Sequence, residues 1–282
     1  MNSLYAINSA GDKEIFSPQK VYNSARRVGA SKELAAEITE RVKRTAYNGI
    51  KTSEIFKMVK TLLNQESPKS ALRFNLKEAM KRLGPTGFTF EKFIGEIFKK
   101  LGFEIKINQH IPGFCLDDYE IDFVAQKKDL IYVGECKYRN LPGDKVHIQD
   151  ALANYARFLD ILKGPYFTKK ECRDCEIKTI LVTNTKFTDK IINYASCVDV
   201  SLLGWKYPRN NGLEYLIEKH KLYPATILTS LKGYLKEILV SEKIMLIQDI
   251  VEINSRKFSE KFNIPQRYLL SLIEEARLLL GK

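Results

Sequence analysis

The spacing of apolar positions changes period repeatedly along the middle of the chain. Phe90, Phe93, Ile94, Ile97, Phe98 and Leu101 recur at helical spacing and predict an amphipathic helix ended by Gly102. Alternating or continuous apolar runs then predict strands at 103–108, 120–126 and 130–137, followed by a helix over about 146–162. Thr179 to Thr183 reads as a buried strand, Lys190 to Ala195 as a helix and Asp199 to Leu203 as a short strand. Within 86–208 the predicted order is thus α-β-β-β-α-β-α-β. A hairpin-rich start followed by crossovers implies an α/β domain with a mixed sheet core flanked by helices.

The flanks differ. Residues 1–85 predict a small helical domain, with Tyr5-Ala6-Ile7 as a short strand. Ser17-Pro18 supplies a capping hydroxyl and a proline at the first helical position. Ser31 and Thr52 or Ser53 open two further helices, Leu72 to Leu83 makes a fourth, and Gly84-Pro85 closes the unit. Residues 209–282 return to helix, interrupted at Asn263-Ile264-Pro265, with Leu269, Leu272, Ile273, Ala276 and Leu279 on one face of the last. Three consecutive domains are expected: 1–85, 86–208 and 209–282.

Two of the predicted strands carry acids. Asp122 lies in Glu120-Ile121-Asp122-Phe123, and Glu135 lies in Glu135-Cys136-Lys137. Residues two apart on a strand share a face, so Glu135 and Lys137 point the same way. Pairing of the strands brings Asp122 to them. Two carboxylates among apolar neighbours are unfavourable unless a cation completes the set. This is the chemistry of metal-assisted phosphodiester hydrolysis. Asp122, Glu135 and the carbonyl of Cys136 are the candidate ligands for Mg²⁺ or Mn²⁺. Lys137 is the candidate for orienting water or neutralising the phosphorane. Glu91 on the preceding helix and Gln149 at the start of the next are candidates to reach the site from the side. An exposed Glu–Lys pair is more often a solvated ion pair; the apolar flanks Ile121, Phe123, Ile131 and Val133 argue against that here.

Charge sharpens this picture. The net charge is +12, and residues 1–85 hold 16 Lys and Arg against 8 Asp and Glu. The basic excess sits in the flanks, as in a protein that grips a polyanion beside an acidic centre. No apolar run approaches the roughly 18 residues that span a bilayer, and Met1 to Tyr5 lacks the basic start of a signal peptide. A cytoplasmic protein without a membrane segment is expected. Five cysteines do not suggest a disulfide scaffold. Cys172 and Cys175 form a single Cys-x-x-Cys pair, with two reduced thiols expected and zinc the less favoured alternative.

Several motifs in order resemble the Mrr-like branch of the restriction-endonuclease-like PD-(D/E)xK superfamily. They are Gly84 to Glu91, Glu120-Ile121-Asp122, Gly134-Glu135-Cys136-Lys137, Ala151-Leu152 with Tyr155 to Phe158, Leu181 to Thr188, and Leu203-Gly204-Trp205. The resemblance implies a restriction-endonuclease-like core and a DNA endonuclease in which Asp122, Glu135 and Lys137 are catalytic and Glu91 is the helix-borne acid. It also makes a homodimer plausible, two sites serving two strands. The N-terminal part resembles an ATP-cone through Ile15 to Val21 and Lys51 to Ile55. That resemblance implies ATP or dATP near Lys20 and Thr52. It departs from the family at Asn8-Ser9-Ala10-Gly11, where two cations are usual, so a docking unit for protein or DNA stays open as the alternative. Phe258 to Pro265, with Ile273 to Ala276, resembles a helix-hairpin-helix unit, with Asn263 in place of glycine; a plain helical cap is the alternative. The competing functional class is a nucleotide-sensing DNA-binding regulator without cleavage activity.

Overall fold

The structure is a computed structural model that describes residues 4–8, 11–83, 89–141, 143–167 and 175–282. In chain order it begins β1 (Tyr5–Ile7), β2 (Lys13–Ile15), α1 (Pro18–Arg27), α2 (Lys32–Thr45), β3 (Ile50–Lys51), α3 (Thr52–Glu66), α4 (Pro68–Phe74) and α5 (Leu76–Lys81). The middle contains α6 (Phe90–Lys100), β4 (Glu104–Ile111), β5 (Tyr119–Lys127), β6 (Leu130–Lys137), β7 (Lys145–Val146), α7 (Ile148–Lys163), β8 (Glu176–Thr183), β9 (Lys186–Phe187), α8 (Asp189–Cys197) and β10 (Ser201–Leu203). It ends with α9 (Leu213–His220), α10 (Gly233–Ser241), α11 (Ile247–Val251), α12 (Ser255–Phe262) and α13 (Gln266–Leu280). Gly84 to Phe88, the expected closing turn and first motif, lie outside the described residues, as do Ser9, Ala10 and Cys172.

The chain forms two compact units, not three consecutive segments. One contains Met1–Arg82, Ala225–Lys236 and Gln248–Lys282; the other contains Leu83–Pro224 and Glu237–Ile247. α9 falls within the sheet unit, whereas most of the later helical chain, Ala225–Lys236 and Gln248–Lys282, falls within the first unit. There, buried Thr226 donates to the Ala79 carbonyl at 2.9 Å, and Arg82 donates back to the Thr226 carbonyl at 3.3 Å. Glu275 of α13 fixes the same turn by accepting from the backbone N–H and hydroxyl of both Thr229 and Ser230 at 2.6–2.9 Å.

The first unit is otherwise helical around a core that includes Ala25, Ala35, Ile38, Val42 and Leu63. A three-stranded sheet, ordered β2-β1-β3, borders it. Ser17 caps α1 by accepting from the Lys20 N–H at 3.3 Å, and Ser31 caps α2 by accepting from Leu34 at 3.1 Å. The single helix expected over Leu72 to Leu83 is instead α4 and α5, broken at Asn75, whose ψ is −4°.

The second unit holds a five-stranded mixed sheet ordered β10-β8-β6-β5-β4. β4, β5 and β6 form an antiparallel meander, whereas β6, β8 and β10 are parallel through the α7 and α8 crossovers. Two short strands that the apolar pattern does not reveal, β7 and β9, pair beside the sheet. One sheet face packs on α7 through Val124, Ile131, Val133, Phe158 and Ile161. On the other, Phe123 meets Phe98 of α6, with centroids 5.2 Å apart. Among the described residues, no helix is long and apolar enough to cross a membrane.

Candidate active site

Asp122 sits where two ladders lapse. β5 pairs with β6 only as far as Phe123 opposite Gly134. On the other side, β4 pairs through Ile107 and Gln109 in unbroken register but skips Asn108, whose φ is 49°. The freed Asp122 carboxylate accepts the Cys136 N–H through Oδ2 at 2.6 Å. On a strand, the N–H and C=O of one residue share an edge. The Cys136 carbonyl therefore faces the same gap as the Asp122 carboxylate.

Glu135 and Lys137 lie on one face of β6, as the alternation predicts. Glu135 is only 8% exposed, and its Oε1 meets Lys137 Nζ at 2.5 Å. Its other oxygen is held by the Arg157 guanidinium of α7. Arg157 also donates to the Glu120 carbonyl at 3.3 Å, tying helix, acid and strand together. Both strand acids thus come to one end of the sheet with Lys137. Glu91, in the first turn of α6, lies near enough for its charge to act on both Asp122 and Cys136. Gln149 is exposed at the start of α7 and makes none of the contacts that define this cluster.

Burial, and next the Glu135 charge, raise the Asp122 carboxyl to about 6; the Cys136 N–H opposes this, Glu91 adds to it and Lys137 opposes it. Burial, with the charges of Asp122, Glu91 and Glu135, also pushes the Cys136 thiol well above its ordinary range. The sulfur stays protonated, so the donors this site offers a cation are oxygens. Among the described residues, no three His, Cys, Asp or Glu side chains gather as a metal centre. Two carboxylates and one carbonyl remain. That set fits a hard, partly hydrated ion such as Mg²⁺.

The end of β6 is braced from behind. Thr183 donates to the Lys137 carbonyl at 2.6 Å. Asn184, itself buried, accepts the Arg139 N–H at 2.9 Å and donates to the Arg139 carbonyl at 2.8 Å. Arg139 in turn pairs with Asp150 of α7 at 3.2 Å. α7 is seated by Asn154, which donates to Thr179 at 2.8 Å. One turn on is Arg157, and one more turn on is Asp160, which accepts the Cys115 and Leu116 N–H groups and the Tyr119 hydroxyl. Arg157 lies inside the motif Tyr155 to Phe158, but the sequence alone did not single it out as a site residue.

In the other unit, Lys20 and Thr52 line one cavity of about 190 Å³ together with Ser17, Ser24 and Glu14. Lys20 pairs there with Glu14 at 2.7 Å; the lysine is well exposed and the glutamate partly so.

These features define an α/β protein with an acid–acid–lysine cluster at the end of a mixed sheet, together with a helical unit. The C-terminal domain of AF1548-like proteins matches residues 223–280. An uncharacterized protein of Archaeoglobus fulgidus is 34% identical over 188 residues, which is 67% of this chain and 100% of that one. The crystal structure of a protein of unknown function, AF1548, superposes with a TM-score of 0.56 at 30% identity, covering 68% of this chain and 97% of that one. The chain belongs to the AF1548-like family. The MspJI restriction endonuclease in complex with a 27-mer oligonucleotide reaches a TM-score of 0.36 at 14% identity, covering 62% of this chain and 36% of that one, too distant to carry an argument.

Proposed function

We propose that the chain is a divalent-cation-dependent DNA endonuclease acting in the cytoplasm, with Asp122, Glu135 and Lys137 as its hydrolytic residues on a restriction-endonuclease-like core. The observation that carries this reading is the convergence of the two strand acids: Asp122 reaches across to the Cys136 N–H, while Glu135, buried beside it, is bridged by Lys137 and Arg157. DNA as substrate, and a role in restriction, defence or repair, follow from the Mrr-like resemblance, as does cutting of two strands by two copies.

Asp122, Glu135 and the Cys136 carbonyl would hold Mg²⁺ or Mn²⁺, which would supply charge for the phosphoryl oxygens and lower the pKa of a bound water. Lys137 donates to the phosphate or orients the attacking water, and Arg157 fixes the carboxylate plane of Glu135. Glu91 adds negative charge at the edge of the site. Gln149 retains a role only if substrate draws the start of α7 inward.

A second reading, a nucleotide-sensing DNA-binding regulator that does not cut, is favoured by the shared cavity of Lys20 and Thr52. One experiment addresses both: supercoiled plasmid incubated with Mg²⁺, with EDTA, and with Lys137→Ala, each with and without ATP. Mg²⁺-dependent nicking that falls at least 100-fold in Lys137→Ala is expected, in line with loss of a charge-stabilising group. Full cutting by Lys137→Ala would reject the site. DNA binding altered by ATP, with no cutting in any arm, would favour the regulator.

A further inference from the structure

The two units differ sharply in charge. The unit of Met1–Arg82, Ala225–Lys236 and Gln248–Lys282 contains 24 Lys and Arg against 13 Asp and Glu, which leaves +1 of the total +12 for the sheet unit. The candidate hydrolytic site therefore sits on a nearly neutral unit and is itself rich in carboxylates. The excess of positive charge that would attract a phosphate backbone is concentrated in the other unit.

Within the basic unit, a groove of about 560 Å³ runs between the last turns of α2 and the middle of α3. Its cations are Arg41 and Arg44, three residues apart on α2, and Lys57 on α3. Thr45 and Thr61 add hydroxyls, and Val42 and Leu62 give it an apolar floor. None of the described residues lining it is acidic. The nearest acid recorded on these cations is Glu37, which pairs with Arg41 at 2.5 Å; both side chains are about half exposed, so the pair is weak and readily exchanged. Three cations on two helices, with no lining carboxylate, are a poor arrangement for the protein alone and a good one for successive phosphates.

We propose that this α2–α3 groove is the surface that grips the nucleic-acid backbone. The inference rests on the nuclease reading for its substrate, although it uses no residue of the hydrolytic site. Arg41 and Arg44 contact neighbouring phosphates, Lys57 closes the opposite wall, and the apolar floor takes the sugar edge. Such contacts carry affinity without reading sequence. The groove is separate from the cavity shared by Lys20 and Thr52.

The test uses the full chain and a short DNA duplex, with Kd measured across about 50 to 200 mM salt. The triple variant Arg41→Gln, Arg44→Gln, Lys57→Gln removes three exposed charges. Each phosphate contact contributes about 0.9 to the slope of log K against log salt, so the slope should shrink by roughly 2 to 3. A control triple, Lys13→Gln, Lys32→Gln, Lys282→Gln, makes the same charge change elsewhere. Lys32 stands at the opposite end of α2 from Arg41, roughly 13 Å along the helix. The control should keep the wild-type slope within about 1. Arg41→Lys with Arg44→Lys should also keep it, and an unaltered thermal midpoint in the triple would exclude unfolding as the cause.

Equal loss in both triples would overturn the proposal, since net charge alone would then be at work. So would an unchanged slope in the groove triple, including the case in which that triple loses ATP binding only. The two readings separate cleanly. If Lys137→Ala stops cutting while the groove triple binds normally, the hydrolytic site stands and the groove falls. If no variant cuts but the groove triple alone loses its salt slope, the groove stands and hydrolysis falls.

Discussion

Asp122 is ionised at neutral pH only against burial and the Glu135 charge. Its folded value of about 6 lies above the ordinary 3.8, so the folded state holds this proton more tightly than the unfolded one. Stability contributed by the protonated form is present below pH 4 and is lost as pH rises toward about 6. The gap corresponds to at most roughly 3 kcal/mol. Asp122→Asn is therefore expected to raise the thermal midpoint at pH 7.5 without divalent cations, with the gain fading near pH 4. Thermal unfolding at the two pH values measures it, and a lower midpoint at pH 7.5 would contradict the electrostatic account. Asp122, Glu135 and Lys137 were legible from strand alternation alone because their apolar neighbours fix which face they share. Arg157 was not, because its contact with Glu135 depends on how α7 lies across the sheet. Gln149 shows the converse: its place at the start of α7 suggested proximity, yet the helix leaves it exposed.

At the level of the element, the ladder of β5 and β6 ends on a glycine for a steric reason. A Cβ on Gly134 would stand 2.2–2.4 Å from the ring of Phe123, which crosses directly over it. Gly134→Ala must push that ring toward Phe98, at a cost of about 1–3 kcal/mol. The expected result is a lower denaturant midpoint and, on the proposed nuclease reading, weaker cutting, because Glu135 is the next residue. A midpoint equal to wild type would show that the ring moves freely. α6, β5 and β6 were readable because their periods are unbroken. The break between α4 and α5 was not, since helix formers flank Asn75 on both sides and only tertiary packing places the kink. β7 and β9 have two residues each, too few for any period to register.

For the whole molecule, the discontinuous basic unit is the feature that a linear reading could not see. Composition marks residues 209–282 as helical, but which earlier helices they join depends on contacts between Thr226 and Ala79 and on the buried face of Leu269, Leu272, Ile273 and Ala276. Residues 1–82 expressed alone are accordingly expected to melt broadly, without a cooperative transition, and to gain one only when 225–282 are supplied. A sharp melt of the fragment by circular dichroism would contradict this. The same arrangement orders events during synthesis. The N-terminal helices leave the ribosome first, yet their unit is not complete until residues 248–282 have been made. The β4–β10 sheet can close earlier, because all its strands lie between residues 104 and 203. During translation, the strand that carries Asp122 can thus pair with the one that carries Glu135 and Lys137 before the basic unit has all of its residues.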